Sequence, residues 1–480
     1  MTKSQGLRQL LFCMCFVGCL SLTGACGTNN DNNTNNTNTN TNTKSYKVEC
    51  YGNSCDVWGQ ITENLTFKAE NLYVLRGGVQ VGEENKGRTN AKEKVTLTVE
   101  AGTKIVGSNA ERSYLQINRG GRLVAVGTKD KPIVFTSPLS PGSRKAGDWG
   151  GLVINGWAPV NGCTKSSVTG MCELTGEGET GQYGGDRPED DSGVLKYVRV
   201  EYAGQKITAQ KELNGISFQG VGSGTKVEYI QVHQGRDDGV EFFGGTVNVR
   251  WVLVTGPWDD GLDWTNGWTG KAQFVVVQQY PGHGDNGIEA DNNDDDQDAS
   301  PRSKPTLSNI TLVGSPESQN SDLGILLRFG TAAQLWNVVV TQFNDACLTL
   351  DNDSTLNLAF SDPDFTKVSG QVAISHSLIQ CKNAFKDPCK KTDEAGNCTE
   401  QHTEVVKRWF EGQDNNTEAD PELLSATDTK NPNFKPKSSS PVFKDAMDPS
   451  KKDKWFRSAA YKGALGTTNW LDGWTTYDEK

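Results

Sequence analysis

The stretch Asp237-Asp238-Gly239-Val240-Glu241 is followed by two further copies of one pattern, Asp259-Asp260-Gly261-Leu262-Asp263 and Asp285-Asn286-Gly287-Ile288-Glu289. Each copy has an acidic or amide pair, a glycine, an aliphatic residue and an acid. The glycines lie 22 and 26 residues apart, a period typical of the coils of a β-solenoid. Since adjacent strands lie roughly 4.8 Å apart, stacked coils would bring these side chains into columns.

The surrounding sequence contains further copies of this pattern. An earlier copy without acids reads Asn214-Gly215-Ile216-Ser217, and weaker copies follow at Leu323-Gly324-Ile325-Leu326 and Asp345-Ala346-Cys347-Leu348. Short β-branched runs precede each glycine, as expected for strands. Because parallel strands joined by crossovers follow a right-handed path, we predict an all-β, single-stranded, right-handed parallel β-helix over residues 46–400. A C-terminal cap is expected over residues 401–480, because an open solenoid end exposes unpaired backbone.

Amino-acid composition and net charge restrict the fold and the classes of function that the chain can have. The chain has 53 Gly, 12 Trp and only 4 His among 480 residues, which fits strands joined by many turns. Its formal net charge of −11 argues against a nucleic-acid partner and favours cation binding or solubility.

The N-terminus has the pattern of an export signal. Residues 1–26 contain the basic residues Lys3 and Arg8, an apolar run and small residues before Cys26. The stretch Leu22-Thr23-Gly24-Ala25-Cys26 resembles a bacterial lipobox, which implies lipidation of Cys26 and attachment to the outer membrane, on the cell surface or the periplasmic face. An ordinary secretory signal is the alternative. Residues 27–45, rich in Asn and Thr, are predicted to be a disordered tether.

Cysteine usage agrees with an oxidising compartment. Eight cysteines lie beyond the lipobox, an even number that favours disulfides in an exported chain. The spacing of these cysteines lacks the close thiol pairs that zinc sites require. Proximity suggests the pairs Cys50 with Cys55, Cys163 with Cys172, and Cys389 with Cys398, which leaves Cys347 for Cys381.

Several motifs resemble a known group of proteins. Ala125-Val126-Gly127-Thr128, Gly147-Asp148-Trp149-Gly150-Gly151 and the run from Leu195 to Gly204 resemble mostly uncharacterised β-helix lipoproteins of Gram-negative bacteria, with a pectate-lyase-like or polygalacturonase-like architecture. The resemblance covers roughly residues 70 to 480. It implies the fold and export but no activity. Two cysteine-bearing insertions, Gly162 to Asp190 and Cys381 to Cys398, depart from the pattern.

The repeated acids invite three interpretations. The glycines are explained by turn geometry, which Asn214-Gly215 provides without acidity. Like charges on neighbouring strands are destabilising, so the acids need a further explanation. Calcium is the natural ligand, because it takes six to eight oxygen ligands in flexible geometry. The predicted ligand set is Asp237, Asp238, Glu241, Asp259, Asp260, Asp263, Asp285 and Glu289.

An enzymatic interpretation competes with metal binding. Polygalacturonases use aspartates on successive coils followed by Gly-His-Gly, and this order resembles Asp238, Asp259 and Asp260 followed by Gly282-His283-Gly284. Paired carboxylates can serve as general acid and base in glycoside hydrolysis. However, His283 stands four residues before Gly287, out of register with the acids, and Arg328 is alone where a substrate clamp needs a second cation. A lyase would need Arg236 or Arg250 as its base.

Aromatic residues crowd the same coils and suggest a binding surface. Rings beside acids suit carbohydrate through stacking and hydrogen bonds, but alternating aromatics also fill solenoid cores. The residues in question are Trp251, Trp258, Trp264, Trp268, Phe242, Phe243 and Tyr280. We therefore expect a non-enzymatic binding or structural protein, assisted by calcium, with carbohydrate or another surface polymer as partner. A polysaccharide-degrading enzyme is the alternative.

Overall fold

A computed structural model describes residues 45–163, 171–206, 212–393 and 395–477. The signal segment, the lipobox with Cys26 and the tether up to residue 44 lie outside these residues. Within them, no helix combines the length and the apolar character needed to cross a membrane.

The described chain is built mainly from short strands. The first thirteen strands are β1 Tyr46–Tyr51, β2 Ser54–Ile61, β3 Leu65–Phe67, β4 Leu72–Leu75, β5 Gly78–Val81, β6 Val95–Val99, β7 Lys104–Gly107, β8 Tyr114–Ile117, β9 Gly121–Val126, β10 Ile133–Thr136, β11 Leu152–Asn155, β12 Leu174–Thr175 and β13 Gln182–Tyr183. The next ten are β14 Gly193–Glu201, β15 Ile216–Gln219, β16 Lys226–His233, β17 Val240–Phe243, β18 Asn248–Thr255, β19 Leu262–Thr265, β20 Lys271–Gln278, β21 Asn286–Ala290, β22 Thr306–Val313 and β23 Leu323–Leu327.

The remaining elements lie towards the C-terminus. These strands are β24 Gln334–Thr341, β25 Ala346–Leu350, β26 Ala373–Ser375, β27 Leu378–Gln380, β28 Phe385–Lys386, β29 Cys389–Thr392, β30 Cys398–Gln401, β31 Thr417–Glu418, β32 Leu423–Ser425 and β33 Asn433–Pro436. Two α-helices are α1 Asp353–Ala359 and α2 Val405–Glu411, and short 3-10 helices occupy Ala91–Glu93, Glu177–Glu179, Pro441–Phe443 and Pro449–Lys451.

Within the described residues, one hydrogen-bonded sheet of 27 strands coils along the whole body. Its pairings are parallel except for β1, which pairs antiparallel with β2. This is the right-handed parallel β-helix that the glycine period predicts. The sheet continues to β31, past the boundary at residue 400 expected from the sequence.

Each coil has three strand faces. In the early coils face 1 contains β3, β6 and β9, and face 2 contains β4, β7 and β10. From β14 to β24 a single long strand supplies both faces of each coil and bends at one residue with left-handed backbone, such as Tyr197 with φ 51°, and in the next coil β26 and β27 are again separate. Face 3 contains β5, β8, β11, β15, β17, β19, β21, β23, β25 and β28.

Inward residues of the three faces form one continuous hydrophobic core. On face 3, strand alternation points Val240 and Phe242 inward, and both are fully buried. Phe242 stacks on Phe218 of the preceding coil with ring centroids 5.3 Å apart, and on Trp268 at 3.9 Å. The inward aromatics therefore hold successive coils together.

The structure contains four disulfides, which are the pairs predicted from the sequence. They are Cys50–Cys55, Cys163–Cys172, Cys347–Cys381 and Cys389–Cys398. Three of them close short loops, while Cys347–Cys381 joins β25 to the coil that follows it.

The C-terminal region does two different things. Helix α2 buries Trp409 and Phe410 in the core next to β25 and β28, and so covers the end of the β-helix. The chain beyond it returns along the outside of faces 1 and 2, where Trp474 contacts the rings of Tyr197 and Tyr229. The segment predicted to be a cap therefore contains a cap, helix α2, followed by a segment that packs against the outside of faces 1 and 2. We call residues 441–477 the C-terminal clamp.

Candidate metal centre

The acidic copies lie where each coil turns from face 2 into face 3. Parallel pairing places Glu241 beside Asp263, and Asp263 beside Glu289. Since their neighbours Val240 and Phe242 point inward, strand alternation points these three carboxylates to the outside of face 3. The predicted stacking of the copies is therefore present in the structure.

The residue directly before the glycine of each copy takes part in a ladder of hydrogen bonds along the turn. The Asp238 N–H donates to Asn214 Oδ1 at 3.2 Å, the Asp260 N–H to Asp238 Oδ1 at 3.0 Å, and the Asn286 N–H to Asp260 Oδ1 at 2.6 Å. Asn214 fills the same role as the aspartates without a charge. The ladder therefore explains the turn, but it does not explain why two of its members are acids.

A second column consists of aspartates that lie one residue before the ladder residue of each coil. It extends further along the β-helix than the sequence pattern predicted. The Asp285 N–H donates to the Asp259 carbonyl, and the Asp322 N–H to the Asp285 carbonyl, both at 2.9 Å. The Asp345 N–H continues the series to the Asp322 carbonyl at 2.9 Å. The predicted ligand set leaves out Asp322, which precedes one weak copy of the pattern, and Asp345, which begins the next. A cavity of about 470 Å³ opens beside these two residues.

All eight predicted ligands come together in four overlapping triads. Within each triad, one oxygen per carboxylate lies within 4.8 Å of the others. The triads are Asp237 with Asp238 and Asp259, Asp238 with Glu241 and Asp263, Asp259 with Asp260 and Asp285, and Asp260 with Asp263 and Glu289. We call these eight residues the acid row. Asp238, Asp259, Asp260 and Asp263 each belong to two triads, so the row is one continuous surface of oxygens.

Two arginines, Arg236 and Arg328, lie near the acid row. Arg236 lies beside Glu212, with Nε to Oε2 at 3.4 Å, and over the Trp258 ring, and its charge lowers the pKa of Asp237 by less than burial raises it. Arg328, which lacks the second cation of a substrate clamp in the sequence, forms ion pairs with Glu289 and Asp291. The register explains this, because Asp291 and Arg328 each follow the paired residues Ala290 and Leu327.

Burial and mutual repulsion make the acid row costly to ionise. Burial raises the pKa of Asp238, Asp260 and Asp263 well above the usual range of a carboxyl, and neighbouring carboxylates raise it further. Burial also raises the pKa of Asp237 to about 7, with Asp259 adding to the effect. It raises the pKa of Glu289 to about 7 even though Arg328 lowers it. Such groups need either a proton or a cation at neutral pH.

One oxygen of the row stands out. Asp263 Oδ1 is shielded from solvent and, within the described part of the chain, has no hydrogen-bond partner. Asp263 belongs to two of the four triads. A buried carboxylate oxygen without a partner is energetically costly, so this position is suited to a cation.

The insertion between β11 and β14 packs beside the first residues of the acid row. Asn214 Nδ2 donates to Glu177 Oε2 at 3.3 Å and also to Glu241, which places the insertion's carboxylate beside the row. The buried Tyr183 hydroxyl accepts a hydrogen bond from Asn266 Nδ2 at 3.0 Å. Sequence reasoning missed Glu177, because the insertion lies outside the repeat and carries no periodic signal.

The aromatic residues divide between packing and surface. Phe242, Trp264 and Trp268 are buried in the core, and Trp251 stacks on Tyr229 at the corner of faces 1 and 2. Trp258 is 38 % exposed next to Asp259.

The residues of the enzymatic alternative are only partly assembled. Asp238, Asp259 and Asp260 lie together in the acid row. The His283 ring lies parallel to the Trp258 ring with centroids 4.0 Å apart. Burial lowers the pKa of His283. The histidine thus belongs to the aromatic surface beside the row, as its register predicts.

Comparison with known proteins agrees with the architecture. A family model described as a pectate-lyase like beta helix domain matches residues 59–414, about three-quarters of the chain. No curated protein and no solved structure matches the chain in the same comparisons. The match covers the β-helix, the acid row and helix α2. The chain therefore belongs to the pectate-lyase like beta helix domain family.

Proposed function

We propose that this chain is a non-enzymatic binding protein of the bacterial cell envelope whose acid row holds calcium. The observation that carries the proposal is the set of four overlapping carboxylate triads, in which Asp263 Oδ1 lacks a partner among the described residues. Uncharged residues serve the turn equally well at Asn214, so the acids have a separate role.

The chemistry of the row favours calcium over other common ions. The four triads consist of carboxylates, and calcium binds six to eight oxygens in irregular geometry. Structural zinc sites use Cys and His ligands in tetrahedral arrangement, and magnesium demands near-ideal octahedra. A row of flexible, shared carboxylates fits calcium best.

The outer side of the row supports binding of a polymer. Asp259 is exposed, so a calcium ion held there keeps coordination positions open for oxygens of a partner. Trp258 and His283 border a cavity of about 300 Å³ on the same side. A carbohydrate carrying carboxylate or hydroxyl groups would combine metal coordination with contact to these rings.

Calcium titration by calorimetry tests the metal proposal. The purified chain should bind calcium, and Asp238→Asn, Asp260→Asn, Glu241→Gln and Asp263→Asn should weaken binding. Asp295→Asn is the matched control, since Asp295 is an exposed acid outside the triads. At calcium concentrations a hundred times Kd, folding should gain about 2.7 kcal/mol. Absence of both heat and thermal stabilisation in the wild-type chain would refute the proposal.

A glycan-binding assay tests the polymer partner. Polygalacturonate and a neutral glucan serve as probes, each with calcium or with a chelator. We expect calcium-dependent retention of the acidic polymer and a loss of about tenfold in affinity for Trp258→Ala, in line with the energy of aromatic contacts. Trp58→Ala is the control, because Trp58 lies on β2 at the far end of the β-helix. Equal retention of the acidic polymer with calcium and with chelator, and by the wild type and Trp258→Ala, would contradict an acidic polymer as partner.

Attachment to the outer membrane is the cellular part of the proposal. It rests on the resemblance of residues 22–26 to a lipobox. Metabolic labelling with a radioactive fatty acid should mark the wild-type chain but not Cys26→Ala. Fractionation should then find the wild type with the outer membrane and the variant in a soluble fraction.

Polysaccharide cleavage is a second candidate function, favoured by one observation. Asp237 and Asp259 lie in one triad on adjacent coils, and the pKa of Asp237 is raised to about 7, a value suited to a general acid. Release of reducing sugars from acidic and neutral glycans tests this candidate. Activity that disappears in Asp260→Asn but survives in Asp295→Asn would replace the binding function with an enzymatic one.

A further inference from the structure

We propose that Arg328 is a built-in cation that occupies one end of the acid row and thereby limits how many metal ions the row takes. The inference rests on the proposed cation binding and extends it, because it assigns a role to a residue outside the eight carboxylates. It concerns the triad of Asp260, Asp263 and Glu289, which is the last of the row.

The guanidinium reaches this triad from the next coil. Arg328 Nε donates to Asp291 Oδ1 at 2.8 Å and Nη2 to Asp291 Oδ2 at 3.2 Å. The same Nη2 also donates to Glu289, so the side chain bridges a carboxylate within the row and one just outside it. The pairing is partly shielded, since the side chains of Arg328 and Glu289 are 27 % and 16 % exposed.

The other shielded triad lacks such a partner. Among the described residues, Asp238, Glu241 and Asp263 form no ion pair with lysine or arginine. Glu241 instead accepts from the neutral amide of Asn214, and Glu177 of the insertion lies on the same amide. Asp263 Oδ1, common to both triads, keeps no hydrogen-bond partner within the described chain.

This asymmetry has a simple electrostatic meaning. A guanidinium bound to Glu289 removes an oxygen that a metal ion would need, and its charge repels a divalent ion placed beside it. In the triad of Asp238, Glu241 and Asp263, no guanidinium binds a carboxylate among the described residues, and the Arg328 charge acts on this triad through the shared Asp263. Removing the charge of Arg328 should therefore open a metal position at the Arg328 end of the row.

Counting bound ions by native mass spectrometry tests this inference on the full chain in calcium. Arg328→Gln should bind one calcium ion more than the wild type, and the double variant Arg328→Gln with Glu289→Gln should lose that ion. Arg328→Lys keeps the charge and should keep the wild-type number. Arg302→Gln is the matched control, because Arg302 binds Asp298 and loop carbonyls rather than the row.

The outcomes separate this inference from the proposed function. An unchanged or smaller ion count in Arg328→Gln would overturn the inference while calcium binding by the wild type still stood. A wild type without calcium and an Arg328→Gln variant with one ion would refute wild-type calcium binding and support the inference. If neither chain binds calcium, both fail. Should Arg328→Gln unfold in chelator, recovery of its thermal transition in calcium supports the inference, and no recovery overturns it.

Discussion

The two polar surfaces of this β-helix satisfy their side chains in opposite ways. On faces 1 and 2, Gln273 donates to the Arg457 carbonyl at 2.9 Å and accepts from the Arg457 N–H at 2.7 Å. Asn337 makes the same two-way pair with Met447, at 2.7 and 3.0 Å. On face 3, the acid row faces outward, and within the described residues no hydrogen bond or ion pair joins it to the C-terminal clamp. Neutral amides can be matched by backbone, whereas stacked carboxylates require a positive charge.

The largest expected effect comes from breaking the amide surface. Gln273→Leu leaves the Arg457 N–H and carbonyl without their partners, and such losses cost about 1 to 3 kcal/mol. Urea unfolding should show this fall in the free energy of unfolding, with or without calcium. Gln319→Leu, an exposed glutamine, is the control and should change stability little. Equal stability of Gln273→Leu and wild type would show that the clamp contributes nothing through this pair.

A substitution of opposite sign is expected in the acid row. Asp263→Asn removes a shielded carboxylate while keeping its shape, so in chelator the variant should be more stable than the wild type by about 1 kcal/mol. The same variant should gain less stability from calcium. Thermal unfolding in chelator and in calcium measures both effects. Destabilisation in chelator would mean that the Asp263 carboxylate is satisfied without a metal.

The smallest effect is a dependence of stability on pH. Between the ordinary carboxyl values and about 7, folded Asp237 and Glu289 hold protons that the unfolded chain has released. The metal-free chain should therefore lose stability as pH rises from about 5 to about 8. Calcium should flatten this slope, because it compensates the ionised row. Melting temperatures of the wild type across this pH range measure the effect, and the double variant Asp237→Asn with Glu289→Gln is the control. A wild-type melting temperature that rises with pH in chelator would contradict the prediction.

Periodicity made the fold and most of the candidate site predictable. The glycine steps gave the coil length, and the offset of each acid from its glycine placed all eight ligands in the row. The same offsets applied further along would have found Asp322, Asp345 and the pairing of Asp291 with Arg328. Asp322 and Asp345 were left out of the predicted ligand set because their copies lack the glycine or the second acid, although the backbone register continues through them.

The remaining features carry no periodic signal. Glu177 reaches the row from an insertion whose path depends on its own turns and on a disulfide. The clamp depends on matches between single amides and distant backbone groups, which spacing along the chain does not show. For the aromatics, alternation showed that half would be buried, but only the structure separates Trp258 from Trp264 and Trp268.

The position of the clamp has a consequence for how the protein is made. Arg199 donates to the Trp474 carbonyl, and Gln231 pairs with Thr476, so these residues of the clamp contact strands that are synthesised more than 240 residues before them. Until the clamp is synthesised, Leu253, Val276 and Val313 on the outside of face 2 have no cover from Ala464, Leu465 and Leu471. Closure is therefore a late event, and a chain cut short near its end would display apolar strands of the kind that aggregate or attract proteases.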